Sequence, residues 1–227
     1  MMRAFRSGSW WALGLLVAAA AGFWRPYLSQ ITSGVDVLTH IHAASMGAWL
    51  CLLVAQPALA ASGRRRAHVW VGRASYVLVP AIVLATSALA WRRLNDTAAS
   101  VGSERAALLF VQIAPTAIFT AMYTLAMRHR RTSTLHARDM IATGLVMIDP
   151  VVARVLLHLT PLTALSWHVI DLVTVPVLLA LILWERRTFT DRIYPGVLAL
   201  FMSYQFAATT FAHSSAWRWV AVHLAAW

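Results

Sequence analysis

The feature that most constrains this chain is a set of seven apolar runs, each about 17 to 25 residues long, separated by short charged or proline-bearing breaks. They cover roughly residues 10 to 28, 37 to 61, 69 to 91, 104 to 127, 137 to 158, 166 to 184 and 195 to 213. A run of that length matches the hydrocarbon thickness of a bilayer when it is helical, and a helix satisfies all its own backbone hydrogen bonds where no water is at hand. The fold class expected is therefore all-α, a polytopic transmembrane bundle of about seven helices with 1–227 as a single integral membrane domain. Composition agrees, since 60% of residues are apolar and only 12% charged, against about 45–50% apolar in soluble domains.

Arginine sets the orientation. One side collects Arg3, Arg6, Arg64, Arg65, Arg66, Arg73, Arg128, Arg130, Arg131, Arg138, Arg186, Arg187 and Arg192, thirteen in all; the other holds Arg25, Arg92, Arg93, Arg105 and Arg218. Positive loops are retained in the cytoplasm, which places the amino terminus inside and the carboxyl terminus outside. The first run, preceded by two arginines and ending in small residues, also has the look of a secretory signal. Its continuation through Phe23 and Trp24 favours a retained helix. Trp10, Trp11, Trp24, Trp70, Trp91, Trp167, Trp184 and Trp217 fall near the ends of runs, as interfacial aromatic belts do.

The net charge of +11 first suggests nucleic acid, but eighteen of the nineteen arginines lie at the ends of runs, Arg154 being the exception, and are accounted for by anionic lipid headgroups, so the bilayer is the expected partner and nucleic acid is not. Partner subunits of a membrane complex, or further copies of the chain, are compatible with the absence of room for a soluble domain. The single cysteine, Cys51, excludes an intramolecular disulfide and a thiolate-ligated cluster, which leaves histidine as the means of any redox chemistry. No nucleophile-and-base arrangement, phosphate-cradling glycine loop or protease signature is present.

Nine histidines are many for such a chain, and polar side chains at membrane depth are costly without a use. The topology sorts them by layer. His40, His42, His158, His168 and His213 fall toward the outer face and are the candidate ligands of a transition metal. Asp149, Arg154 and Asp171 lie among them and are the candidate catalytic or ion-coupling groups. Gln112 falls in the same half, and Gln205, Thr209 and His213 repeat at a helical spacing along the last run. A shared polar cavity open to the outside is the expectation, with mutual satisfaction of these groups as the plainer alternative, Asp149 pairing with Arg154 and Asp171 fixing His168.

His68 and His136 form a second pair, each at the cytoplasmic start of an outward-running helix. Two neutral imidazoles at equal depth on neighbouring helices are what axial haem ligation needs, while headgroup binding beside the arginines is the competing use. Gly47, Gly72 and Gly144 are expected to allow close helix packing. Pro115, Pro150 and Pro176 fall inside runs, where kinks can open hinges.

Three segments taken together, HIHAASMGAWLCLLVAQ at 40–56, RRRAHVWVGR at 64–73 and HARDMIATGLVMIDPVVAR at 136–154, resemble a large, poorly characterised group of bacterial multi-pass membrane proteins. The resemblance implies the bacterial cytoplasmic (inner) membrane and the seven-helix architecture, and carries no established activity. A looser resemblance runs to the di-haem b-type cytochromes, which place histidines on successive helices; it implies haem b as a cofactor. The fourth run has no histidine within it, so a single haem, or none, is easier to accommodate than two. Two function classes follow: a haem- or metal-binding electron-transfer protein, or a proton-coupled transporter or non-catalytic subunit of a membrane complex.

Overall fold

The computed structural model describes residues 2–95, 102–159, 167–188 and 193–225, with side chains for 9–95, 102–156, 173–187 and 193–225. These residues form helices α1 (Met2–Gly22), α2 (Val37–Ala61), α3 (Arg65–Arg73), α4 (Ser75–Asn95), α5 (Ser103–Arg128), α6 (Ser133–Leu145), α7 (Ile148–Leu159), α8 (Trp167–Thr188), α9 (Tyr194–Thr209) and α10 (Ser215–Ala225), with 3-10 turns at Leu28–Gln30 and Phe211–His213. The described fold is all-α. Three helices are long and apolar enough to cross a membrane: Val37–Ala61, the continuous stretch Arg65–Asn95 made by α3 and α4, and Ser103–Arg128. At 1.5 Å per residue the shortest of them, at 25 residues, reaches about 38 Å, beyond the roughly 30 Å of a hydrocarbon core. No more than 33% of any of these three apolar windows is buried inside the chain, so their outer faces, with Val77, Leu84 and Val37 exposed, call for an apolar solvent.

The core forms where α1, α2, α4, α5 and α6 meet. Trp49 of α2 is fully buried and meets the rings of Phe119 and Tyr123 on α5 edge-on, with centroids 5.1 and 5.7 Å away, the arrangement that ring quadrupoles favour. The Tyr123 hydroxyl shares a 2.8 Å hydrogen bond with Ser75, tying α5 to the start of α4. Of the glycines expected to permit close packing, Gly144 does so: a Cβ there would meet Trp11 of α1 at 2.9 Å and Leu53 of α2 at 3.1 Å. Gly72 makes only ordinary contact with Gln56, and Gly47 faces open space. Gly22 has the same role as Gly144 against Val155 of α7.

Two of the expected runs each divide between two helices, the second of them without losing continuity. The run at 137–158 divides into α6 and α7 with a turn at Val146 and Met147. Pro150 explains the break, since it has no amide to donate to the carbonyl four residues back, at Val146, and its ring crowds that carbonyl. The run at 69–91 joins α3 to α4 at Ala74, where the Ser75 hydroxyl bonds the Gly72 carbonyl at 2.6 Å and takes over an acceptor from the helix ladder. The proline-bearing break at residues 160–161, between the fifth and sixth runs, lies outside the described residues. The last run ends as α9 at Thr209, and residues after it fold into α10, which packs on α4 and α5 through Ala221, Leu94 and Ala106 and through a Trp217 indole donating to the Ala106 carbonyl at 2.6 Å.

The turn after α2 is made by Gly63. With φ at 72° it occupies the left-handed region, its amide donates to Ala60 O and the next amide, Arg64, donates back to Leu59 O. This is a Schellman cap, and it sends the chain directly into α3 so that α3 folds back beside the end of α2.

The bundle has two chemically different ends. The start of α2, the end of α4 and the start of α5 meet at the Asp36 end, where Asp36 caps α2 through Thr39 N at 3.0 Å and pairs with Arg92 at 2.7 Å. Hydrogen bonds from Arg92 and then Thr39 hold the Asp36 carboxyl well below the usual carboxylate range. The arginine-rich end gathers α3 with the ends of α2, α5 and α8 and the starts of α6 and α9. Here Arg138 and Glu185, 2% and 0% exposed, form an ion pair at 2.8 Å. Glu185 also accepts from the amides of Ile193 at 2.7 Å and Tyr194 at 3.0 Å, so one carboxylate fixes α6, the end of α8 and the start of α9.

Removing one member of a buried pair strands the other charge. Glu185→Ala is expected to cost about 3–5 kcal/mol and to lower the unfolding temperature of the detergent-purified protein sharply. A double substitution Arg138→Met with Glu185→Leu should recover part of that loss; equal unfolding of wild type and Glu185→Ala would show that the pair contributes nothing.

Candidate functional site

The histidines of the arginine-rich end are organised from the backbone outward. Gly63 turns α3 back along α2, and His68 in the first turns of α3 places Nδ1 3.3 Å from the Gln56 carbonyl, while the Gln56 amide donates to His68 O at 3.1 Å. His136, in the first turn of α6, places Nδ1 2.8 Å from the Ala126 carbonyl of α5. A carbonyl oxygen only accepts, so in both rings Nδ1 carries the proton and Nε2 of the neutral ring keeps its lone pair. This is the tautomer in which backbone carbonyls orient metal-bound histidines. The two half-buried imidazoles are close enough for His68 to act electrostatically on His136, as do Asp139 and His129.

Asp139 is 2% exposed and meets His129 Nδ1 at 2.6 Å, linking α6 to the residue that ends α5. Three histidines, the Asp139 carboxylate and the Arg138–Glu185 pair therefore crowd one end of the bundle. The sequence sorts His129 into the same layer as His68 and His136 and sets Asp139 beside His136, but it does not show that Asp139 holds His129 or that Glu185 belongs to the same assembly. The available signal was the spacing of Arg138 and Asp139 after His136, which puts all three within one turn of helix.

The residues expected in the outer half come together only in part. Asp149, 7% exposed, accepts from Thr174 of α8 at 2.5 Å and from Gln205 of α9 at 3.0 Å, so it joins α7, α8 and α9. Arg154, the expected partner of Asp149, sits with its guanidinium 5.8 Å from the Phe23 ring and within electrostatic reach of Arg93, which itself donates to Gln112 at 3.1 Å. His40 bonds the Tyr27 hydroxyl at 2.9 Å, and His42 lies 3.2 Å from Thr86. His213 falls in the 3-10 turn beyond α9 and is exposed, so it does not continue the stripe of Gln205; the helix ends before the second repeat is reached. The side chains of His158, His168 and Asp171 lie outside those described.

Among the described residues no three His, Cys, Asp or Glu side chains gather as a metal site, so His40, His42 and His213 do not converge on one ion. A groove of about 670 Å³ opens between α4 and α5 and a second of about 420 Å³ at the end of α5, and no histidine lines either. The polar groups expected in the outer half are thus distributed over several small hydrogen-bonded sets, while those of the arginine-rich end form one.

Comparison with family models, curated proteins and solved structures gives no match, so a functional reading of this chain rests on its own residues.

Proposed function

We propose that the chain is a seven-span protein of the bacterial cytoplasmic membrane, with its amino terminus inside, that binds one haem b between His68 and His136 and passes electrons at the cytoplasmic face. The observation that carries this reading is the shared arrangement of the two rings: each Nδ1 is committed to a backbone carbonyl and each Nε2 is left to coordinate. Arg64, Arg65 and Arg66, all exposed one turn or less before His68, supply guanidinium partners for propionate carboxylates. Haem bound there would supply a one-electron couple; the chain's own residues fix the ligand tautomers and, through the nearby buried carboxylate of Asp139, oppose the positive charge of the site.

Purified from haem-replete cells, the protein is expected to show a Soret band and about one iron per chain. His68→Ala and His136→Ala should each abolish the band, whereas His129→Ala, whose ring is taken by Asp139, should keep it. A colourless, iron-free wild-type preparation with a normal circular dichroism spectrum would remove this reading.

A second reading, proton-coupled transport, is favoured by Asp149. A carboxylate almost without solvent contact, held by hydrogen bonds from two other helices and next to Pro150, is suited to cycling between protonation states as those helices shift. In proteoliposomes carrying a trapped pH indicator, the wild type is then expected to collapse an imposed pH gradient and Asp149→Asn to fail, with both folding alike. No proton flux through the wild type, or loss of folded protein on Asp149→Asn, would assign the residue to architecture.

A further inference from the structure

The larger groove, about 670 Å³, runs along α5 from Ile113 to Arg128 with Val83 and Ser87 of α4 on its other wall. Fifteen residues of helix correspond to about 22 Å, more than the roughly 15 Å of one hydrocarbon leaflet. Its floor includes the threonine ladder Thr116, Thr120 and Thr124, a pattern that looks polar in sequence. Each hydroxyl, however, donates to the carbonyl four residues back, at 2.7, 2.8 and 2.7 Å. With their donors spent on their own helix, the threonines leave no hydrogen to offer a polar solute. Ala117 and Ala121, small and exposed, keep the groove open between them.

At its arginine-rich end this groove meets the second one, of about 420 Å³, which shares Thr124 and Arg128 with it and adds Arg130 and Arg131. All three arginines are exposed, and none enters an ion pair among the described residues. An apolar slot of acyl-chain length that ends in three guanidinium groups complements one kind of molecule, with a hydrocarbon tail and an anionic head. We propose that the α4–α5 groove is a binding site for an anionic phospholipid of the cytoplasmic leaflet, one acyl chain lying along Ala117 and Ala121 and the phosphate held by Arg128, Arg130 and Arg131. The site rests on the membrane-spanning part of the function proposed above and is independent of haem, so a colourless protein that selects anionic lipid would leave it standing.

Native mass spectrometry of the detergent-purified full chain, offered dioleoylphosphatidylglycerol and dioleoylphosphatidylcholine in equal amounts, tests it. The anionic lipid is expected to be retained in preference by about tenfold or more, given the attraction of each basic side chain near an anionic surface. Two variants separate slot from charge. Arg128→Gln with Arg130→Gln and Arg131→Gln, all at the surface, should erase the preference, and Ala121→Phe, which fills the groove and leaves every charge in place, should reduce retention to a similar degree. Equal retention of the two lipids would overturn the site. So would a preference that survives Ala121→Phe, or one that inorganic phosphate competes away, since either means diffuse charge attraction; a chain dimer that Ala121→Phe dissociates would show that a second copy occupies the groove.

Discussion

Much of this architecture hangs on a charge pair that has no water to fall back on. Arg138 and Glu185 are both sealed from solvent, and the carboxylate is shared with two amides at the start of α9. Burying two ions is expensive, and the attraction between them offsets that cost only when the remaining lone pairs are also satisfied. Glu185 meets that condition, which is why a single side chain can hold three helix ends in register. The position of α6 then determines where His136 and Asp139 stand. A group with no chemistry of its own thereby governs the geometry of the titratable cluster beside it.

The same economy shows in how the helices are broken. Pro150 divides α6 from α7 without a loop, and Asp149, the residue before it, is brought against Thr174 and Gln205. A continuous helix would have pointed that carboxylate in a direction fixed by the 3.6-residue period alone. Breaking the period frees one buried polar group to find partners on two neighbours, and hydrogen-bonded partners are what a buried carboxylate needs.

The helical class was legible from the sequence because hydrophobic length is a one-dimensional property, and the three helices long and apolar enough to cross a membrane needed nothing else. That His68 and His136 fall at the same end of the bundle was legible because the two follow equivalent charged breaks. What was not legible depends on rotation and on ends. His213 shares a helical spacing with Gln205, yet α9 stops at Thr209, so the face they would have shared does not exist. Arg154 and Asp149 differ by five residues in one helix, and sequence cannot say that Phe23, just past the end of α1, takes the guanidinium. Nor does it show that Thr116, Thr120 and Thr124 turn their hydroxyls onto the backbone, which leaves three polar letters with no hydrogen to donate. The α10 helix escaped notice because its apolar residues cover a small satellite core and not a membrane span.

Gly63 gives this molecule an unusual distribution of sensitivity. It lines neither of the two grooves, but its lack of a side chain lets the backbone reverse tightly enough for His68 to lie against Gln56. A replacement there would meet open space and break no packing, so the strain would be relieved by reopening the reversal, carrying the imidazole with it. The tolerance of an exposed connector to change is set, in this protein, by the aim of a ring five residues downstream.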